Sequence, residues 1–215
     1  MKFSASMLFP VALVAAIAGA GLYSLQSGSA TGQTQGDAAS ALIRFSSPTT
    51  GSPNAKVHIV EFLDPACEGC KAFYPVVKGV LAEYPGKVRL SVRHLAFHKG
   101  ADYVVRVLEA SRKQNRYWEV LDRLFATQSE WSVNHTARPA QVLASLNGLG
   151  LDMQKLQRDM EAPEITQLMA QDLADAKALK VSQTPDFYIN GRKLEPFGAD
   201  ELRKMVREQV SAAYP

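Results

Sequence analysis

Only two cysteines occur in the chain, and they stand as Cys67-Glu-Gly-Cys70 at the junction of two apolar segments. Val57, Ile59, Val60, Phe62 and Leu63 form a near-continuous apolar run ahead of the pair. Such a run fits a central strand covered on both faces. Behind the pair, Phe73, Val76, Val77, Val80, Leu81 and Tyr84 recur at helical spacing. The pattern predicts a strand over 56–64 and a helix over 67–84 that Cys67 opens. Pro75 removes the bond to the carbonyl of Lys71 and should kink that helix. Pro85-Gly86 ends it.

A Cys-x-x-Cys that opens a helix beside a strand reads as a redox dithiol. Helix N-termini carry unpaired N–H groups and partial positive charge, which stabilise a thiolate. Cys67, first in the helix, is the candidate nucleophile, and Cys70 lies one turn along the same face, close enough to close a small ring. The competing readings are weaker. A structural disulfide across so short a loop adds little stability. His94 and His98 complete a superficial Cys2His2 set, but the gap from Cys70 to His94 is longer than the zinc pattern allows. Inert core thiols would not need this spacing.

The remaining chain frames this unit. A chain of 215 residues, 47% hydrophobic, can bury one ordinary core with a subdomain. Its formal charge of +3, without a basic stripe interleaved with aromatics, argues against nucleic acid as a partner. Residues 1–25 hold one charge, Lys2, ahead of an uncharged, mostly apolar stretch. That is a signal peptide, with Ala18-Gly19-Ala20 as a small-x-small cleavage site, or an uncleaved membrane anchor with its N-terminus cytoplasmic. Either way the body is exported, to the periplasm or an equivalent extracytoplasmic space, where a disulfide persists. Residues 26–54, rich in Gly, Ser, Thr, Gln and Ala, read as a flexible linker. One apolar island within it, Ala41–Phe45, suggests a short edge strand.

Glu61 interrupts the first strand. It is either a strand-end charge reaching solvent or a buried carboxylate with a raised pKa that exchanges a proton with the dithiol. Residues 87–97 form a second strand, Val88, Leu90 and Val92 alternating with Lys87, Arg89, Ser91 and Arg93. Strand–helix–strand order implies a parallel pair. His94 and His98 fall at its carboxyl edge, where sites gather in open α/β sheets. Residues 101–181 are helical in pattern, with a break at 129–138, and look like an inserted subdomain; Trp118 and Trp131 read as packing residues within it. The last helical run there, 164–179, carries Ile165, Leu168, Met169, Leu173 and Ala176. Thr184-Pro185 opens a further strand, Asn190-Gly191 is a hairpin turn, and residues 198–214 form a final amphipathic helix.

Taken together, Glu61-Phe62, Cys67-Glu68-Gly69-Cys70, the helical insert, Thr184-Pro185 and the Asn190-Gly191 hairpin resemble the DsbA-like thiol–disulfide oxidoreductases of the thioredoxin superfamily. The resemblance implies an α/β thioredoxin fold, with halves over 55–100 and 182–215 and the helical insert over 101–181 between them. It implies that Cys67 attacks and Cys70 resolves, with no cofactor beyond their redox-active disulfide. Pro185 would match the family's cis-proline beside the disulfide, Thr184 the residue that tunes redox poise, and Glu61 the buried acid. The departure is Glu68-Gly69, where the family's strong oxidase carries Pro-His. A carboxylate beside Cys67 disfavours the thiolate, and Gly69 weakens the first turn. Both shift the expected poise to less oxidising.

The expected function is therefore an exported oxidoreductase that donates disulfides to exported cysteine-containing proteins. A membrane partner resembling DsbB, or DsbD for the reverse flow, would reset it. Disulfide reduction or isomerisation is the alternative within the class. A non-catalytic copper-binding module using Cys67 and Cys70 is the alternative outside it.

Overall fold

A computed structural model of the chain describes residues 41–215. The expected signal or anchor segment, 1–25, lies outside the described residues, as does the linker up to residue 40. Among the described residues no helix is long and apolar enough to cross a membrane.

The main sheet has five strands: β1 (Thr49–Gly51), β2 (Val57–Leu63), β3 (Val88–His94), β6 (Asp186–Ile189) and β7 (Arg192–Lys193), in the order β1-β3-β2-β6-β7. A two-stranded hairpin, β4 (Ser132–Val133) with β5 (Thr136–Ala137), stands apart from it. β2 and β3 are parallel, with Leu63 opposite His94, as a strand–helix–strand unit requires. β6 runs antiparallel to β2 and turns through Asn190 and Gly191, both left-handed, into β7. Every residue of β2 is buried, so it is the central strand its apolar run implied.

Alternation along β2 sends Val57, Ile59 and Leu63 to one face and Val60 and Phe62 to the other. The first face is covered by α1 (Glu68–Glu83), the insert helices α2 (Ala101–Arg112) and α3 (Tyr117–Ala126), and α8 (Ala199–Ala213). The turn α4 (Gln128–Trp131) and helices α5 (Pro139–Ser145) and α6 (Met153–Met160) extend the same core. Trp131 is fully buried there and donates its indole N–H to the Leu124 carbonyl at 2.8 Å. Burying an apolar side chain of this class stabilises by about 2–3 kcal/mol.

The second face carries three features that the sequence reading does not reach. Arg93, one of the polar positions alternating with the apolar ones along β3, is completely buried beneath α7 (Pro163–Ala178). Its guanidinium pairs with Asp172 at 2.7 Å and Asp175 at 2.5 Å. On α7 the apolar residues of the run do not all face inward: Ile165 and Ala176 are buried, Leu173 is exposed, and Asp172 and Asp175 turn inward. This last helix of the insert thus covers the sheet itself. Finally, the expected linker gives way to packed structure by Ala41. Ala41–Phe45 is not a strand; the edge strand is β1, antiparallel to β3. The carbonyls of Ala41 and Leu42 accept from Arg93, at 2.6 and 3.2 Å, and Arg44 clasps Asp175 with two bonds of 2.8 and 2.7 Å. A buried guanidinium needs those acceptors, and local alternation cannot reveal them.

Candidate active site

The site begins at Asp64, which ends β2 with its carboxylate wholly buried. One oxygen accepts the amide of Ala66 at 2.8 Å, an Asx turn that reverses the chain. The other accepts the amides of Phe97 and His98, at 2.8 and 2.9 Å, and the His98 Nδ1 at 2.7 Å. The loop after β3 is thereby tied to the loop after β2. Gln128 of α4 braces it from the insert, its Nε2 donating to the carbonyls of Pro65 and Cys67, each at 3.0 Å. Cys67 then takes the N-cap position of α1 with extended backbone (φ −79°, ψ 126°).

Both cysteines are free thiols, and their surroundings differ. Cys67 is 9% exposed and Cys70 is fully buried. The Cys67 thiol is brought down to about 5, chiefly by the hydrogen bond from Cys70. The amides of Cys70 and Gly69 at the helix N-terminus and the Thr184 side chain add to this, against the opposing effect of burial. Cys70 is pushed up, first by burial, then by Cys67 and by the charge of Glu61. The pair is thus split into an accessible thiolate and a buried thiol that keeps its proton. Glu61 is fully buried, both oxygens lack hydrogen-bond partners, and burial, with the Cys67 charge second, pushes it up to about 8. Of the two readings of Glu61, the buried carboxylate is the one seen. An acid held protonated near neutrality beside a thiol of raised pKa can trade a proton with it.

Thr184 and Pro185 close the site from the other side. Their peptide bond is cis. The Cys67 sulfur lies 3.3 Å from the Thr184 carbonyl oxygen, which accepts from the thiol only in its protonated form. Gly69 fits beneath this loop because it has no side chain. A Cβ there would stand 3.3 Å from Pro185 Cδ and 3.5 Å from Cys67 Sγ. Glu68 points outward, its carboxylate 67% exposed on the rim, while the Cys67 thiol falls as the helix N-terminus implies.

The fold therefore gathers Cys67, Cys70, Glu61, Gly69, Thr184 and Pro185, with Glu68 on the rim. His98 joins them through Asp64. His94 does not: it is buried in the core, 3.0 Å from the Tyr117 hydroxyl and 3.4 Å from Glu109. Three contributors were not singled out from the sequence. Asp64 had a visible signal, an aspartate between a strand and a proline. Gln128 and His135, whose ring nitrogen Nδ1 lies 3.7 Å from Glu68 Oε2, had none, because only the folding of the insert brings them to the dithiol segment.

Residues 45–208 match the family model described as thioredoxin. Among curated proteins, the chain is 31% identical over 167 residues to a Na(+)/H(+) antiporter NhaA 3 of Salinispora tropica, covering 76% of this chain. It spans only 24% of that antiporter's length. It is 26% identical over 167 residues to a probable disulfide bond formation protein D of Bacillus anthracis, covering 74% of this chain and 76% of that one. Among solved structures, a thioredoxin-like oxidoreductase from Silicibacter pomeroyi is 30% identical, with a TM-score of 0.67, over 78% of this chain and 91% of that one.

Proposed function

The chain belongs to the thioredoxin family, and from that premise we propose that it is a DsbA-like thiol–disulfide oxidoreductase, an exported donor of disulfides to cysteine-containing proteins. The observation that carries the direction is the Cys67 thiol held near 5 beside a buried Cys70. A stabilised thiolate favours the reduced enzyme, so the Cys67–Cys70 disulfide is readily given up.

The resting form in this reading is the disulfide. A substrate thiolate attacks Cys67 Sγ; the Cys67–Cys70 bond breaks, and Cys70 leaves and takes a proton, which in this reading comes from the Glu61 carboxyl. A second substrate thiolate then attacks the substrate sulfur of the mixed disulfide. Cys67 departs as a thiolate, a good leaving group at its lowered pKa. Two electrons have passed to the dithiol, the substrate holds a new S–S bond, and of its two thiol protons one replaces that on Glu61 and the other enters solvent. The Thr184–Pro185 segment lines the attacked sulfur and offers backbone to an extended chain. A membrane-bound oxidant of the DsbB kind would withdraw the two electrons and restore the disulfide. Export rests on the apolar Met1–Leu25 stretch and on a chemistry that needs an oxidising compartment; retention of that stretch would tether the enzyme to the inner membrane.

Reduced, unfolded ribonuclease tests the direction. The oxidised protein should restore native ribonuclease disulfides, and a Cys67→Ser variant should not. If the oxidised protein leaves ribonuclease thiols untouched while the reduced protein cleaves insulin disulfides, electrons run the other way and the enzyme is a reductase or isomerase. Stoichiometric copper on the purified protein, with neither activity, would favour the metal-handling reading.

A further inference from the structure

Glu68 places a carboxylate directly after the nucleophile, and the structure supplies a partner from outside the dithiol segment. The His135 Nδ1 lies 3.7 Å from Glu68 Oε2. The ring of His135 stacks on that of His98, centroids 5.3 Å apart and planes 23° from parallel. His98 is in turn fixed by its 2.7 Å bond to the buried Asp64 carboxylate. A continuous path of contacts thus leaves the chain just before Cys67, at Asp64, and returns to it just after, at Glu68.

The backbone gives an independent reason to assign His135 a role. Asn134 and His135 sit between β4 and β5 with φ of 50° and 55°, the two left-handed positions of a tight hairpin turn. Such a turn favours glycine second, and a histidine there is strained. The hairpin is also strapped to the segment that carries His98. Ala137 N donates to the Lys99 carbonyl at 2.9 Å, and a Cβ on Gly100 would meet the Ala137 carbonyl oxygen at 2.9 Å. The turn is therefore held beside the dithiol loop, with its strained residue facing Glu68.

We propose that His135 is a positioning residue for the redox reaction, its imidazole propped on His98 and pairing with Glu68 so that protonation offsets the carboxylate's opposition to the Cys67 thiolate. This rests on the thiol–disulfide reading above and adds a pH-responsive tuning element to it. The charged and titratable groups facing or flanking it are Glu68 of α1, His98 after β3, Asp64 at the end of β2, and the cations Lys99 and Arg138 beside the hairpin.

The test is the equilibrium of the Cys67–Cys70 pair with glutathione at pH 5.5 and 8.5, which bracket the range where imidazoles as a class change charge. His135→Gly removes the imidazole and relieves the left-handed turn, so its melting temperature should hold or rise. At pH 5.5 the variant should form its disulfide about two- to fivefold more readily than the wild type, the scale of an exposed ion pair. At pH 8.5 the ratio should fall toward one. In a Glu68→Gln background, removing His135 should change little at either pH. An unchanged constant, or one shifted equally at both pH values, overturns the role of His135 and leaves the oxidoreductase reading standing. Absence of any Cys67–Cys70 disulfide in the wild type overturns both.

Discussion

Changing the pH alone should reverse which redox form of this protein is the more stable. Cys67 has its thiol lowered from 9.0 to about 5 in the folded, reduced state. A group whose folded pKa is depressed contributes stability that is fully present above the unfolded value and is lost as pH falls through the folded one. The window is therefore pH 9 down to 5. At roughly 1.4 kcal/mol per pH unit, thiolate stabilisation reaches about 4 kcal/mol at pH 8 and nearly vanishes at pH 5. Partial access of water to Cys67 reduces the pH 8 figure to about 3 kcal/mol. The disulfide form has no thiolate, but its closed ring restricts the unfolded chain, worth about 2 kcal/mol for so short a loop. The desolvation of Glu61 is common to both forms and cancels. The disulfide form should thus be more stable at pH 5 by about 2 kcal/mol, and the reduced form more stable at pH 8 by about 1 kcal/mol. Urea unfolding of both forms at pH 5, 6.5 and 8 measures the difference directly. A gap that does not change with pH would show that Cys67 is not the stabilised thiolate described here.

Three further outcomes follow from the buried charges. Glu61→Gln should stabilise the reduced protein by about 1–3 kcal/mol at pH 7, since it removes an unpartnered buried carboxyl. Because the raised pKa of Glu61 means stability lost as pH climbs from its unfolded value toward about 8, the gain should shrink at pH 4, which denaturation at both pH values would reveal. Arg93→Ala should destabilise by about 3–5 kcal/mol, because Asp172 and Asp175 lose their buried partner; a melt showing under 1 kcal/mol would contradict the pairing described. Asp64→Ala should lower stability by about 1–3 kcal/mol and slow mixed-disulfide formation at Cys67, as the loop amides lose their acceptor; unchanged alkylation kinetics of Cys67 would count against that brace.

Much of the site was legible because its chemistry is local. The strand, the Cys-x-x-Cys and the helix behind it are contiguous, and the periods of 2 and 3.6 place their side chains without further knowledge. Thr184-Pro185 and the Asn190-Gly191 turn are readable for the same reason. The burial of Arg93 was not legible, because alternation does not say what covers the polar positions, and it is α7 that brings two carboxylates to neutralise it. The same pairing explains α7 itself: its inner face includes Asp172 and Asp175, so a purely apolar criterion does not find it. Gln128 and His135 could not be found at all, being polar residues in a connecting region whose position is set by the packing of the whole insert. The lowering of Cys67 was legible from its place at the helix N-terminus, but the shares of the Cys70 thiol and Thr184 were not, because they depend on how the chain folds back.

The Arg93 cluster also determines how the domain bears a pull. Tension entering at Ala41 does not peel β1 from the sheet edge first. It meets the two carbonyl bonds to Arg93 and the double clasp of Arg44 on Asp175, which lie along the chain before β1. These contacts are loaded together, and they pass the strain to β3 and α7, both continuous with the main core. The dithiol loop, braced separately by Asp64 and Gln128, lies outside that load path.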